Sequence, residues 1–153
     1  MNYMDQVKVI DVYPYRRING DIEFLLFHRS EGTYCENQWR MVGGKLENDE
    51  TAWQAGLREL LEETGCQPVQ YWTVPSLNHF YEAKHDRLML IPVFAAELND
   101  DDDILLNEEH DSCRWLQRDE AEQVMIWPEQ IRLIALIDQI LRFKTIPDEW
   151  IIK

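Results

Sequence analysis

Three glutamates, Glu59, Glu62 and Glu63, stand at positions whose types and spacing could do chemistry. On a helix they occupy i, i+3 and i+4, so their side chains share one side. Like charges at this spacing repel, and acidic groups suit a first helical turn better than a late one. Arg58 can pair with Glu62 across one turn, but one cation cannot balance three carboxylates. Hard divalent cations can do so. Mg²⁺ or Mn²⁺ takes oxygen ligands and commonly bridges carboxylates to substrate phosphates. The competing reading is a solvated acidic helix face, and exposed glutamates on helices are common. The carboxylates alone leave both readings open.

The helix that must position them is predicted over about Glu50 to Thr64, with Gly65 as its C-terminal stop. Trp53, Leu57, Leu60 and Leu61 fall opposite the carboxylates and are expected in the core. Ala52 and Ala55 lie on the carboxylate side and leave room above it. Gly56 costs about 1 kcal/mol of helix stability relative to alanine, so a packing reason is expected.

Strands are predicted at Val7 to Tyr15, Ile22 to His28 and Trp39 to Val42, the last ending at Gly43-Gly44. Asn19-Gly20 is a hairpin signal, because both residues tolerate positive φ. Further strands are expected at Tyr71 to Val74, Asn78 to Glu82, Arg87 to Leu98 and Ser112 to Leu116. Arg29 to Asn37 and Asn99 to Asp103 read as loops. A short helix near Asp119 to Met125 precedes Trp127-Pro128. A final amphipathic helix, about Glu129 to Phe143, carries Ile131, Ile134, Ala135, Ile137 and Leu141 as its apolar stripe. The tail Trp150-Ile151-Ile152 is expected to fold back on the core. The order of elements is α/β, with two main helices able to cover opposite faces of a mixed sheet.

The chain has 153 residues and 45% hydrophobic composition, which suits one globular domain, 1–153. No apolar run is long enough to span a bilayer, so no membrane partner is expected. The N-terminal residues lack an apolar signal region, and a cytoplasmic location is expected. The net charge of −14 makes nucleic-acid polymers poor partners. A small phosphorylated substrate would be repelled as well, unless bound cations reverse the local field. Cys35, Cys66 and Cys113 form no paired motif and read as reduced thiols, with Cys66 and Cys113 in the core.

The spacing around the glutamates favours the metal reading. Gly44 is followed by five residues and Glu50, then seven residues and Arg58-Glu59-Leu60, Leu61, Glu62-Glu63, Thr64, Gly65 and Cys66. This resembles the Nudix box. At average residue usage, a chance match is on the order of one in a billion per start position. Cys66 stands where the family prefers an aliphatic residue, and cysteine is itself a small buried hydrophobe. The resemblance implies a Nudix-type α/β/α sandwich with a mixed β-sheet between helices. It implies a hydrolase that cuts a diphosphate linkage with water.

Carried over residue by residue, the resemblance implies that Glu59, Glu62 and Glu63 bind Mg²⁺ or Mn²⁺. The Gly43 carbonyl is a further expected ligand. Arg58 orients the carboxylates, and Glu50 braces the loop-to-helix junction. The general base is Glu59 or a glutamate from a later loop. The segment Glu108-Glu109-His110 is the best such loop, with Glu109 favoured as base or ligand and His110 left without a role. Arg29 is expected to reach substrate, and Lys45 to touch a phosphate. Phe80 and Tyr81 are candidates for stacking on a base, and adjacent strand residues face opposite ways, so at most one does. Core packing is the competing reading for both.

Thr51-Ala52-Trp53-Gln54-Ala55, Glu109-His110 and Trp127-Pro128 together resemble the branch acting on dATP and dihydroneopterin triphosphate. The substrate expected is therefore a (deoxy)nucleoside or pterin triphosphate, cleaved to a monophosphate and pyrophosphate. The alternatives are a dinucleoside polyphosphate or nucleotide-sugar hydrolase, or a catalytically silent Nudix module. Family members often dimerise, so a homodimer is possible.

Overall fold

A computed structural model describes residues 7–153; residues 1–6 of the expected single domain lie outside them. The strands are β1 (Val9–Ile18), β2 (Asp21–Arg29), β3 (Trp39–Arg40), β4 (Val42–Lys45), β5 (Gln70–Glu82), β6 (Arg87–Glu97) and β7 (His110–Leu116). The helices are α1 (Ala52–Thr64), α2 (Arg118–Val124) and α3 (Pro128–Phe143). The turn between β1 and β2 is Asn19-Gly20, with φ of 53° and 76°, as its sequence requires.

One mixed sheet runs β3-β2-β1-β6-β5, with β4 joined to β1 and β7 to β2. Only β1 and β6 pair in parallel. β1 pairs with β2 over its second half, Tyr15 opposite Phe24, and with β4 over its first half, Val12 opposite Val42. Past Phe24, β2 pairs with β7 and β3 instead. Gly43 and Gly44 therefore lie inside a strand rather than ending one. The two strands expected in the seventies are one, β5, whose register shifts between Thr73 and Leu77.

Pleating gives the sheet two cores. Ile10, Val12, Leu25, Phe27 and Phe94 pack with Ala55 and Leu60 of α1. Tyr13, Tyr15, Leu26 and Trp72 pack with Leu133, Ile134 and Ile137 of α3. The buried Trp72 indole donates to the Tyr15 hydroxyl at 3.0 Å. The tail folds back as expected: Trp150 stacks on Trp72, and the Ile152 amide donates to the Tyr71 carbonyl. Among the described residues, no helix is long and apolar enough to cross a membrane.

Two expectations about helix faces are corrected. Leu61 and Trp53 are 44% and 37% exposed rather than core. The buried side of α1 carries Ala55, Gly56, Leu60, Glu63 and Thr64. The helix is rotated so that a carboxylate, not a second leucine, faces the sheet. On α3 the buried side includes Leu133 and Ile140, while Ile131 and Ala135 are only half-buried.

Gly56 has the packing reason its cost implies. A Cβ there would lie 2.1 Å from the Tyr71 hydroxyl, which donates to the Trp53 carbonyl. Tyr71 is itself buried and stacked on Phe94. Gly56→Ala should destabilise the fold by about 1–3 kcal/mol, despite the gain of about 1 kcal/mol in helix propensity. Combined with Tyr71→Phe it should cost less than alone. Urea denaturation of the four members of this cycle checks both; a stabilising single substitution contradicts the packing argument.

Candidate active site

α1 begins at a capping box. Thr51 Oγ1 accepts from the Gln54 amide at 3.2 Å, and Gln54 Oε1 accepts from the Thr51 amide at 2.9 Å. It ends at Gly65, in the left-handed conformation at φ 74°. Glu50 lies before the first turn rather than in it. Its carboxylate takes two hydrogen bonds from Arg58, at 2.8 and 2.9 Å, and one from the Glu47 amide at 2.9 Å. These contacts hold the Glu50 carboxyl down at about 2. The bracing role expected of Glu50 is what its contacts provide.

Arg58 also donates to Glu59 Oε1 at 2.9 Å, to the Lys45 carbonyl at 2.9 Å and to Glu62 at 3.3 Å. One planar guanidinium thus ties the β4 end, the loop and the helix together. The shorter contacts go to Glu50 and Glu59, and the pairing with Glu62 is the looser one.

The three glutamates differ sharply in environment. Glu62 points outward and is half exposed. Glu59 is mostly covered. Glu63 is 1% exposed. The Glu59 and Glu63 carboxyls lie near enough for each to shift the other's pKa. Burial raises the pKa of both, and for Glu63 the Glu59 carboxyl beside it adds a large further rise. Two acids this close disfavour each other's ionised form. Glu63 Oε2 is buried without a partner. Gly44 admits this arrangement, because a Cβ there would stand 2.2 Å from the Glu59 carboxyl carbon.

The far wall comes from β2 and β7. A register irregularity between His28 and Arg29 carries Arg29 opposite His110. The Ser30 amide donates to the Glu109 carbonyl at 2.9 Å. Arg29 donates to Glu109 Oε2 and to His110 Nε2, each at 3.3 Å, and to the Tyr34 carbonyl at 2.9 Å. His110 Nε2 lies 3.6 Å from Glu63 Oε1. Its ring packs on Phe27, with centroids 4.9 Å apart. Burial, then the Arg29 and Arg40 cations, bring the imidazole down to about 4, so it is neutral near pH 7. Asn107 sets the approach: its Oδ1 accepts from the Glu109 amide and its amide group donates to the Glu62 carbonyl.

Ligand atoms of Glu63, Glu109 and His110 all fall within 4.8 Å of one another. The structure therefore brings Arg29, Arg58, Glu59, Glu63 and Glu109 to one place. Glu62 lies at its rim. Lys45 is exposed at the end of β4 and contributes its carbonyl to Arg58. Gly43 lies in β4 opposite Asp11. Tyr81 stands apart on the β5–β6 hairpin, 58% exposed, with its hydroxyl on Asp86. His110 is the group whose place sequence reasoning did not find. The available signal was its position directly after Glu109, at the first residue of a strand.

Comparison with known proteins agrees with this geometry. The NUDIX domain profile matches residues 8–137. A bis(5'-nucleosyl)-tetraphosphatase [asymmetrical] of Caenorhabditis elegans is 32% identical over 131 residues, covering 84% of this chain and 91% of that protein. A CTP pyrophosphohydrolase of Escherichia coli (strain K12) is 32% identical over 120 residues, covering 76% of this chain and 83% of its own. The crystal structure of a C. elegans Ap4A hydrolase binary complex superposes with a TM-score of 0.75 at 28% identity, over 88% of this chain and 97% of that one. The matched stretch runs from just before β1 to the middle of α3 and takes in every residue of the carboxylate site: the chain belongs to the Nudix hydrolase family.

Proposed function

We propose that the protein hydrolyses a (deoxy)nucleoside or pterin triphosphate to a monophosphate and pyrophosphate. The observation that carries the catalytic part is the Glu63, Glu109 and His110 cluster, whose ligand atoms lie within 4.8 Å of one another, with Glu63 almost wholly buried and its Oε2 unpartnered among the described residues. The carboxylate oxygens of this cluster fit a hard divalent cation, which would neutralise the buried acid and satisfy its free oxygen. Glu59, Glu63 and Glu109 would hold Mg²⁺ or Mn²⁺, with Glu62 and the Gly43 carbonyl completing the set. When bound, such a cation neutralises phosphate charge and lowers the pKa of an attacking water.

The remaining roles fall to the chain's own groups. Arg58 keeps the Glu59 carboxylate in place and is itself held by Glu50. Glu109 or Glu59 accepts the proton of the attacking water. Arg29 holds Glu109 through one N–H and has further donors to offer a phosphate oxygen. Lys45 adds positive charge at the β4 end, and Tyr81 offers an exposed ring on the hairpin. The triphosphate reading is supported by the Thr51 to Ala55 segment, by Trp127-Pro128 and by the likeness to a CTP pyrophosphohydrolase. A second reading, hydrolysis of a dinucleoside polyphosphate, is favoured by the likeness to the C. elegans tetraphosphatase. The three free cysteines suit a reducing compartment such as the cytoplasm.

A panel of nucleoside triphosphates, a pterin triphosphate and dinucleoside polyphosphates, incubated with Mg²⁺, separates the readings by product. Pyrophosphate with a monophosphate supports the first, and a nucleoside triphosphate product supports the second. Glu59→Gln, Glu63→Gln and Glu109→Gln should each lower kcat by about a hundredfold or more on the best substrate. No turnover of any compound by the folded wild type sinks the enzyme reading.

Metal binding has its own readout. Mg²⁺ or Mn²⁺ should raise the melting temperature of the wild type at neutral pH, because it binds only the assembled site. Glu63→Gln replaces a buried acid with a neutral isostere, so its metal-free melting temperature should equal or exceed that of the wild type. The same variant should lose most of the metal-induced rise. An undiminished rise, measured by differential scanning fluorimetry, removes Glu63 from the ligand set.

A further inference from the structure

One buried cation of the chain has no task at the carboxylate site as described so far. The protein has 29 acidic residues against 15 basic ones, so counter-charges are plentiful. Every other arginine stands in an ion pair, apart from Arg114, which lies over the Trp39 ring at 5.6 Å from its centroid. Arg40 has neither kind of partner among the described residues. Its Nε is fully buried and unpartnered. The other two nitrogens are not sealed off in this way, and the residue as a whole is only half-buried. Asp11 is near enough to feel the Arg40 charge, yet it takes its hydrogen bond from Asn78, at 3.0 Å, and forms no ion pair with Arg40. Partial burial of a guanidinium without a close counter-charge costs free energy that the fold does not return.

The strand register sets Arg40 beside the carboxylate site. β3 pairs with β2 so that Arg40 stands opposite Phe27, and cross-strand partners share a face. The His110 ring packs on Phe27, with centroids 4.9 Å apart. Phe27 is therefore a common neighbour of Arg40 and of a member of the Glu63, Glu109 and His110 cluster. His110 is near enough to feel both Arg29 and Arg40. The loop between β2 and β3 gives a second tie. The Tyr34 carbonyl accepts from Arg29 Nε at 2.9 Å, and the Tyr34 phenol is near enough to feel Arg40. One tyrosine thus reaches from one arginine to the other.

The two cations are differently committed. Arg29 holds Glu109, His110 and the Tyr34 carbonyl. Arg40 holds nothing among the described residues. A guanidinium only donates, and its planar fork matches two oxygens of one phosphate. A polyphosphate is a row of such groups, and a metal at the carboxylate cluster would neutralise the one under attack. The next phosphate in the row needs a counter-charge of its own in a protein of net charge −14. Arg40 supplies it with no ion pair to break. The acceptor edge of a nucleobase is also a match for the fork, but the full unpaired charge favours an anion.

We propose that Arg40 is a substrate-binding residue and that it takes the phosphate adjacent to the one held at the carboxylate cluster. This role rests on the reading that the substrate is a polyphosphate, and it gives that chain its second anchor.

Two ligands that resist hydrolysis, orthophosphate and methylenediphosphonate, test it by calorimetric titration into the protein with Mg²⁺. In the wild type the diphosphonate should bind about tenfold or more tightly than orthophosphate, because it spans both positions. Arg40→Gln should weaken the diphosphonate by about tenfold and orthophosphate by less than about threefold. Arg40→Lys keeps the charge without the fork and should fall between the two proteins. Equal affinities in the wild type, no binding of the diphosphonate at millimolar concentration, or an Arg40→Gln protein that binds it as the wild type does overturns the proposal. So does an equal loss for both ligands, which makes Arg40 a structural residue. Retained diphosphonate binding with weakened binding of nucleoside monophosphates assigns the arginine to the base and overturns it too. If Arg40→Gln does not fold, the wild-type ratio and Arg40→Lys decide. Arg40-dependent binding in a protein that hydrolyses nothing sinks the catalytic reading alone. Normal hydrolysis with a KM unchanged by Arg40→Gln sinks this role alone.

Discussion

Burial of the Glu63 carboxyl is the constraint from which the rest of the site follows. An ionised carboxylate removed from water costs several kcal/mol unless a counter-charge and hydrogen bonds meet it. Here a second acid, Glu59, raises its pKa further. Arg58, the strongest cation nearby, is committed to Glu50, Glu59 and the Lys45 carbonyl. Arg29 faces Glu109 and His110, which itself stays neutral. Burial and the neighbouring acid both push the Glu63 carboxyl towards its neutral form. The two arginines frame the acids from opposite walls, Arg58 on Glu59 and Arg29 on Glu109.

The sequence made the catalytic helix legible because its spacing is dense with information. Box glycines, the Arg58-Glu59 pair and the C-terminal Gly65 all occupy the places their roles demand. What periodicity misjudged was the direction of the helix. Leu61 and Trp53 have the side chains of core residues, and a hydrophobic stripe is the ordinary guide to a buried face. The guide failed because Glu59 and Glu63 occupy the sheet-facing side, where apolar side chains ordinarily pack. The far wall was only half legible. Glu109 and Arg29 stood out by type and order, yet their meeting depends on a bulge between His28 and Arg29 and on the Asn107 turn, neither of which leaves a spacing signal. His110 looked idle because its partner, Glu63, lies 47 residues away in the chain. The Asp11 group was invisible for a similar reason. A lone Asp in a strand of β-branched and aromatic residues gives no hint that Asn78 will reach it.

The net charge of −14 takes on a different sense beside this geometry. A uniformly acidic surface would repel a polyphosphate from every direction. Arg29, Arg58 and Lys45 gather around one end of the sheet, and cation binding would extend the positive field there.

The splay of β1 and β2 decides what stands on either face of the sheet beside the site. β2 leaves β1 after Phe24, and β4 takes its place beside the first half of β1. That exchange puts a pair of glycines, without side chains, between the two faces. On one face Gly44 gives way to the Glu59 carboxyl; one residue back, Gly43 gives way to Asp11. Period-two alternation along β1 then sends neighbouring residues to opposite faces, with Ile10 and Val12 anchoring α1 and Asp11 and Tyr13 turned to the α3 side. Without side chains at Gly43 and Gly44, the Glu59 carboxyl and the Asp11 carboxylate approach the same two residues of one strand from opposite faces.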